Sequence, residues 1–272
     1  MKAWAGLGYY SRARNLHACA QMIATDHGGA FPDDVAALRK LPGIGPYTAA
    51  AITAIAFGKR AVVVDGNVER VVARLFRIDT PLPQAKADMR ARTDAITPQQ
   101  RAGDFAQGMM DLGATLCAPK NPACPLCPLN SLCAGYAAGD AATYPRRAAK
   151  AERPRRFGAV FYLRRADGFV LLRTRPPRGL LGGMSEFPGT PWNADFNLSG
   201  ALQHAPVKAA WKKQLQQVEH VFTHFTLKLD VYVAKVKTTV QAPDGARFVR
   251  ENSLADEALP SVMRKVATIT AR

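Results

Sequence analysis

Acidic residues are scarce in this sequence. Asp and Glu number 21 against 37 Lys and Arg in 272 residues, so the formal net charge is +16. The isoelectric point is about 10.0. A compact chain with this much like charge repels itself. The excess of basic residues therefore predicts a nucleic acid partner. When basic side chains neutralise phosphates, the phosphates release their counterions, and this release favours binding. A plain solubility bias is the alternative interpretation.

Long apolar runs are missing as well. No stretch approaches the roughly 20 residues that a membrane helix requires, so we expect no membrane partner. The start of the chain, Met1 to Gly6, also lacks the apolar core of a signal peptide. The sequence therefore predicts a cytoplasmic protein.

The cysteines are few and unevenly placed. Cys19 stands alone, and the other four fall within 17 residues, separated by six, two and five residues: Cys117, Cys124, Cys127 and Cys133. Such a cluster predicts metal binding rather than disulfides. Zinc accepts four thiolates, but its sites usually pair two Cys-x-x-Cys steps, and only one such step exists here. A [4Fe–4S] cluster is the better match, and unligated buried thiols are the third interpretation.

The apolar periodicity changes once along the chain. Residues 1–140 show helical spacing throughout. Residues 141–156 are rich in basic residues and proline and predict an exposed linker. From residue 157 onward the period becomes two, and Ala166-Asp167-Gly168 predicts a hairpin. The patterns predict a mainly α-helical domain followed by an α+β domain over 157–272.

Two turns in the helical part have a chemical meaning. In Leu41-Pro42-Gly43-Ile44-Gly45, the two glycines precede a helix, whose positive end suits an anion such as a DNA phosphate. Taken alone, this turn is equally a helix connector. In the second turn, Asp65-Gly66-Asn67, a carboxylate stands at a helix start. Taken alone, Asp65 is a plain N-cap.

These turns and the cysteine spacing together resemble the helix-hairpin-helix glycosylase superfamily, which includes endonuclease III and the MutY-type adenine glycosylases. The resemblance runs from Gly6 to about Phe225. It implies a DNA base-excision glycosylase domain over 1–140, with the iron–sulfur cluster in loop 117–133. It makes Asp65 the catalytic carboxylate, which stabilises the positive charge that builds on the sugar. Asn67 helps to orient the site, and Lys120 in the loop is a candidate phosphate contact.

Tyr47 distinguishes between subfamilies. Bifunctional relatives such as endonuclease III have a lysine there, which forms a Schiff base with the sugar. Tyr47 offers no amine, so the resemblance implies base removal without strand cleavage. We expect Tyr47 to hydrogen-bond near the sugar or Asp65.

The segment Gly6-Leu7-Gly8-Tyr9-Tyr10-Ser11-Arg12-Ala13-Arg14 also fits the family. Leu7 and Tyr9 are candidates for the wedge that fills the gap when a base flips out. Arg12 and Arg14 are candidate phosphate contacts. Tyr10 is equally well explained as a core aromatic residue.

The second domain resembles the start of a Nudix fold from Phe169 to Gly189. A working Nudix hydrolase needs closely spaced glutamates that hold Mg²⁺, yet residues 190–204 contain Asp195 and no glutamate. We therefore expect this domain to bind rather than hydrolyse. The resemblance implies that it recognises 8-oxoguanine through three residues in place of a Phe-Ser-His loop: Phe222, Thr223 and His224. A histidine beside an aromatic residue is otherwise more often structural.

The resemblance as a whole implies a monomeric adenine glycosylase of the bacterial cytoplasm, associated with the nucleoid. Its substrate is double-stranded DNA with adenine opposite 8-oxoguanine or guanine. The family's general acid is a glutamate on a helix well before Gly6, so we expect an N-terminally truncated, weakly active enzyme. A non-catalytic lesion-binding module is the alternative. An endonuclease III-like or thymine-mismatch glycosylase is disfavoured by Tyr47 and by the second domain.

Overall fold

The computed structural model describes residues 2–4, 6–149 and 152–270. Lys150 and Ala151, which belong to the predicted linker, lie outside the described residues. The chain divides into two compact units. The helical unit comprises residues 15–150, and the mixed unit comprises residues 151–272 together with residues 1–14.

The helices that begin before residue 150 are α1 (Tyr10–Asp26), α2 (Val35–Leu38), α3 (Pro46–Ala51), α4 (Gly66–Leu75), α5 (Lys86–Ile96), α6 (Ala102–Ala114) and α7 (Ala134–Ala137). A π-helical turn, Ile52–Ala56, continues α3. Single 3₁₀ turns are Lys2–Trp4, Cys124–Leu126, Asn130–Leu132 and Ala141–Thr143. The mainly helical character predicted for residues 1–140 is therefore confirmed.

The helix starts follow from local capping. The Asp34 carboxylate accepts a hydrogen bond from the Ala37 amide at 2.9 Å and begins α2. Pro46, which has no N–H to satisfy, takes the first turn of α3. Helix α4 then buries Val68 and Val72 completely, in a core with Met89 and Met109. Burial of each valine side chain stabilises the unit by about 1.5–3 kcal/mol.

Part of the predicted linker is fixed to the helical unit. Tyr144 is buried, and its hydroxyl donates to Asp79 Oδ1 at 2.7 Å. The Leu82 amide donates to the Arg146 carbonyl at 2.9 Å, and the Ala148 amide donates back to Leu82. This part of the predicted linker is therefore anchored to the helical unit through Tyr144 and Arg146, whereas residues 147–149 are exposed as expected.

The mixed unit is built on one seven-stranded sheet, with its central strands in the order β3-β2-β1-β6-β4. The strands are β1 (Arg155–Arg165), β2 (Phe169–Thr174), β3 (Ser185–Glu186), β4 (Lys212–Lys213), β5 (Val218–Val221), β6 (Thr226–Val236) and β7 (Ala246–Arg250). Strand β5 pairs with β6, and β7 pairs with β2. β1 and β6 run parallel along their whole length, and the other pairs are antiparallel.

Helix α8 (Ser261–Thr270) closes the mixed unit, and two 3₁₀ segments, Leu198–His204 and Glu251–Asp256, complete it. α8 buries Val262 and Val266 in a core with Val160 and Leu229. Tyr10 lies in the same core at 7% exposure, so its interpretation as a core aromatic residue is confirmed. Residues 2–14 were predicted to belong to the helical domain, but they pack here because Tyr10 and Trp4 find their apolar partners in this unit.

The predicted fold class, a mainly helical domain followed by an α+β domain, is confirmed. Within the described ranges, no helix combines the length and apolar character that crossing a membrane requires.

Candidate functional site

The Asp65 carboxylate is held at the start of α4 by three hydrogen bonds. Oδ1 accepts from the amides of Asn67 at 2.9 Å and Val68 at 2.8 Å. Oδ2 accepts from the Asn67 side-chain amide at 3.1 Å. Asp65 and Asn67 are both half-buried. The structure thus brings these two predicted site residues together and fixes a carboxylate at the positive end of a helix.

Arg70 connects this turn to the cysteine loop. Its Nη2 donates to Asn67 Oδ1 at 2.8 Å, and its Nε donates to the Cys117 carbonyl at 2.7 Å. Burial, followed by the charge of Arg74, lowers the pKa of Arg70. The sequence reasoning missed Arg70, although its place one turn after Asn67 on an amphipathic helix is a usable signal.

Gly113 of α6 lies directly against Asn67. A Cβ at this position would stand 2.6 Å from Asn67 Cβ and 3.0 Å from its Cα. Only a glycine lets α6 approach the turn this closely. Gly113 therefore determines how near α6 comes to the residue that orients Asp65.

Tyr47 is 42% exposed on α3. Its hydroxyl donates to Met110 Sδ at 3.5 Å, a long and weak contact. The hydroxyl therefore remains available to an incoming group. Its proposed contact with the sugar or Asp65 stays a prediction.

The glycine turn before α3 has the geometry expected of an anion site. Gly43 has a φ of +78°, and a Cβ there would stand 2.7 Å from Asn15 Cβ. Gly45 is the N-cap of α3 and provides no side-chain acceptor for its first amides. Those N–H groups are the usual partners of a bound phosphate. A role of Gly43 and Gly45 in DNA binding stays a prediction.

The four clustered cysteines, Cys117, Cys124, Cys127 and Cys133, line one cavity of the helical unit. All are free thiols and half-buried. Burial raises the pKa of the Cys124 thiol, and the nearby Cys117 and Cys133 thiols raise it further. Among the described residues, no three Cys, His, Asp or Glu side chains converge closely enough to hold a single metal ion.

Arg74 lines the same cavity and is 1% exposed. Its Nη1 donates to Cys117 Sγ at 3.1 Å and to the carbonyls of Cys117 and Ala118. Its Nη2 is buried and has no hydrogen-bond partner among the described residues. A buried guanidinium is costly unless a negative charge compensates it. The cavity is thus suited to a negatively charged group, such as an inorganic cluster with its thiolates.

The mixed unit contains a cavity of about 340 Å³. It is lined by parts of four segments, which are residues 8–11 with Arg14, 179–181, 220–223 and 260–262. The cavity brings together Tyr9, Phe222 and Thr223, which the sequence singled out far apart in the chain. Tyr9 is 73% exposed, with a φ of +46° that is unusual for an aromatic residue. Leu7 and His224 are exposed but do not line the cavity.

Aromatic packing fixes the loop that carries Thr223. The Phe222 ring stacks on Phe225 at a centroid distance of 4.7 Å and meets the His220 ring edge-on at 4.6 Å. Trp192 lies 5.9 Å away on another side. Burial, and then the charge of Lys265, lowers the pKa of His220. Sequence reasoning missed His220 and Trp192, because no local pattern connects them to this loop.

The predicted phosphate contacts differ in their surroundings. Lys120 is exposed in the cysteine loop. The Arg12 guanidinium lies 5.2 Å from the Tyr9 ring centroid. Arg14 is half-buried, and its Nη1 donates to the Gly182 carbonyl at 2.8 Å within the mixed unit. Arg14 is therefore already engaged by the protein, whereas Lys120 is open to solvent.

Glu186, the buried glutamate of strand β3, serves ion pairs. Glu186 is buried between Arg173, at 2.7 Å, and Arg175. Asp195 is exposed. This arrangement gives Glu186 a structural partner for each oxygen.

Comparison with known proteins identifies both units. Residues 1–98 match the family described as HhH-GPD superfamily base excision DNA repair protein. Residues 159–268 match the NUDIX domain family. These matches confirm the expected helix-hairpin-helix and Nudix-like character of the two domains.

Three relatives are adenine DNA glycosylases. The Homo sapiens protein is 32% identical over 97% of this chain and 59% of its own length. The Arabidopsis thaliana protein is 34% identical over 97% of this chain and 48% of its own. The Mycobacterium tuberculosis H37Rv protein is 42% identical over 54% of this chain and 49% of its own. The chain thus spans about half to three fifths of these relatives.

Both units thus match known families, and 97% of the chain aligns with proteins named adenine DNA glycosylase, so the chain is similar to these base excision repair proteins in both of its units.

Proposed function

We propose that this protein is a base-excision repair enzyme that hydrolyses the N-glycosidic bond of adenine opposite 8-oxoguanine or guanine in double-stranded DNA. The observation that carries the proposal is the Asp65 carboxylate, held by the Asn67 and Val68 amides and the Asn67 side chain. We further propose that it acts as a monomer on nucleoid DNA in the bacterial cytoplasm. The net charge of +16 supports DNA as the partner.

The chemistry follows from charge development. As the bond between adenine and the sugar breaks, positive charge builds on the sugar ring. A carboxylate that is already oriented stabilises this charge without reorganising. Asp65 supplies that carboxylate, and Asn67 keeps its orientation. Tyr47 cannot form a Schiff base, so water completes the reaction and the strand stays intact.

DNA binding and base flipping fall to the exposed groups. Gly43 and Gly45 offer helix-start amides to one phosphate, and Lys120 and Arg12 add positive charge. Leu7, at 68% exposure, and Tyr9 are the wedge candidates that replace the extruded base in the stack.

Lesion recognition belongs to the mixed unit, residues 157–272 with the N-terminal segment. Thr223 and Phe222 both line its cavity, and the Phe222 ring is stacked on Phe225. A hydroxyl can donate to or accept from an oxidised base, and His224 adds a second polar group on the same loop. The Glu186 ion pairs support binding rather than metal-dependent hydrolysis.

The helical unit would hold a [4Fe–4S] cluster on Cys117, Cys124, Cys127 and Cys133. Support comes from their shared cavity and from the unsatisfied Arg74 Nη2, which a negatively charged centre would complement. Zinc sites usually pair two Cys-x-x-Cys steps, and this loop contains only one, which favours the cluster over zinc. When bound, the cluster staples the 117–133 loop.

The decisive experiment is single-turnover release of adenine from duplexes with adenine opposite 8-oxoguanine, guanine or thymine. We expect release from the first two and no borohydride-trapped adduct. Asp65→Asn keeps an Oδ1 acceptor for the Asn67 and Val68 amides, removes the charge and the acceptor of the Asn67 side chain, and should lower the rate by about 10²–10³-fold. Equal rates for the two proteins would contradict the proposal. Lesion-selective binding without any release would instead identify a lesion-binding protein.

A further inference from the structure

The N-terminal segment is tied to the mixed unit by polar contacts. The Trp4 indole Nε1 donates to the Gly8 carbonyl at 2.9 Å. The Gly6 amide donates to the Tyr10 hydroxyl at 3.3 Å, and the Tyr10 ring is buried in the core. The Arg14 guanidinium donates to the Gly182 carbonyl at 2.8 Å. The exposed Leu7–Tyr9 stretch thus lies between anchored positions.

The acceptor of Arg14 is itself fixed. Gly182 lies in a compact loop in which the Arg175 amide donates to the Met184 carbonyl at 2.9 Å. The Gly183 amide donates back to the Arg175 carbonyl at 3.2 Å. The same loop contributes residues 179–181 to the cavity that also contains Tyr9 and Thr223. A bond from Arg14 to this loop therefore joins two walls of one cavity.

We propose that Arg14 is a positioning residue that sets Tyr9 against the Thr223 loop, so that discrimination between 8-oxoguanine and guanine depends on the Arg14–Gly182 bond. The proposal rests on lesion recognition by the mixed unit. Arg14 acts through the protein and not through a phosphate, which replaces the role that the sequence predicted for it. The Arg14 side chain is half-buried, and its Nη1 is directed to the Gly182 carbonyl within the same unit.

The two roles give different results in equilibrium binding. We would use duplexes that carry 2′-fluoro-2′-deoxyadenosine, which resists cleavage, opposite either 8-oxoguanine or guanine. Two quantities are measured: the ratio of the two dissociation constants, and the slope of log Kd against log salt concentration. Loss of one phosphate contact makes that slope shallower by about 0.9.

Arg14→Met should reduce the ratio of the two dissociation constants about tenfold, which corresponds to the loss of one charge-assisted hydrogen bond. The slope of log Kd against log salt concentration should stay unchanged. Arg14→Lys can still donate to the Gly182 carbonyl and should restore most of the preference. Lys208→Met is the charge-matched control, because Lys208 is exposed and lies outside the cavity lining. It should leave the preference unchanged.

A second variant keeps the test decisive if Arg14→Met fails to fold. Tyr10→Phe retains the buried ring but removes the acceptor of the Gly6 amide, and it should also weaken the preference. A shallower salt slope for Arg14→Met, or an unchanged preference in Arg14→Met or Tyr10→Phe, overturns the proposal. If the unaltered protein shows no preference for 8-oxoguanine over guanine, the proposal that the mixed unit recognises the lesion is wrong, and the role proposed for Arg14 is then wrong as well.

Discussion

Gly113→Ala should displace the turn that holds Asp65 while leaving the fold intact. The new Cβ would stand 2.6 Å from Asn67 Cβ and 3.0 Å from its backbone Cα and O atoms. Ordinary contacts begin near 3.4 Å, so α4 and α6 must separate by several tenths of an ångström to 1 Å. Overpacking of this size costs about 1–3 kcal/mol in the free energy of unfolding.

Gly113→Ala should affect the rate of adenine release more strongly than it affects the free energy of unfolding. A displacement of about 1 Å at a reacting centre can cost roughly 10²-fold in rate. Because Asn67 Nδ2 holds Asp65 Oδ2, we expect about that loss in the single-turnover rate of adenine release. Binding of the duplex should change little, because Gly113 is buried and offers no group to DNA.

Gly108→Ala is the matched control on the same helix. Nothing lies within 4 Å of a Cβ at Gly108, so this change should stabilise α6 by about 1 kcal/mol and leave the rate unchanged. Gly103→Ala is a second comparison, since its Cβ would strike the Ala54 carbonyl oxygen at 2.5 Å rather than Asn67. It should destabilise the unit without the full rate loss. A normal rate in Gly113→Ala, combined with the expected destabilisation, would refute the role given to Asn67.

Three further predictions concern other parts of the molecule. Anaerobically prepared protein should contain about four irons and four sulfides per chain. Arg74→Met should lower this content, because Arg74 Nη1 donates to Cys117 Sγ. Stoichiometric zinc without sulfide would contradict the cluster. Thr223→Ala with His224→Ala should weaken binding to 8-oxoguanine·A duplexes more than to G·A duplexes, and equal losses would count against a recognition role. Burial raises the pKa of Tyr162 to about 12. Because the folded state holds this proton more tightly than the unfolded state, the stabilising effect is complete below pH 10 and disappears as the pH rises through 12. In urea unfolding, the free energy of unfolding of Tyr162→Phe should therefore fall less over that range than that of the unaltered protein.

Most features that could be predicted from the sequence depend on short stretches of neighbouring residues. Asp65 could be assigned as a cap because a side-chain acceptor just before a helix is a short-range pattern. Strands β1 and β2 were predictable from their period of two and the glycine turn between them. The Nudix-like character was expected from the sequence, since its motif is contiguous.

Long-range packing decided what the sequence did not predict. Residues 2–14 were placed in the helical domain, yet Tyr10 finds its partners in α8 and the sheet of the mixed unit. Arginines are ordinarily surface residues, so the burial of Arg74 became visible only with the cysteine cavity around it. The short strands β4 and β5 have too few residues to establish a period.

The central claim is that this chain removes adenine from a mispair by hydrolysis. The most direct measurement is mass spectrometry of the products after incubation with an 8-oxoguanine·A duplex. We expect free adenine and an intact strand with an abasic site opposite an untouched 8-oxoguanine. Release of 8-oxoguanine, or a strand cut that forms together with base loss, would contradict it.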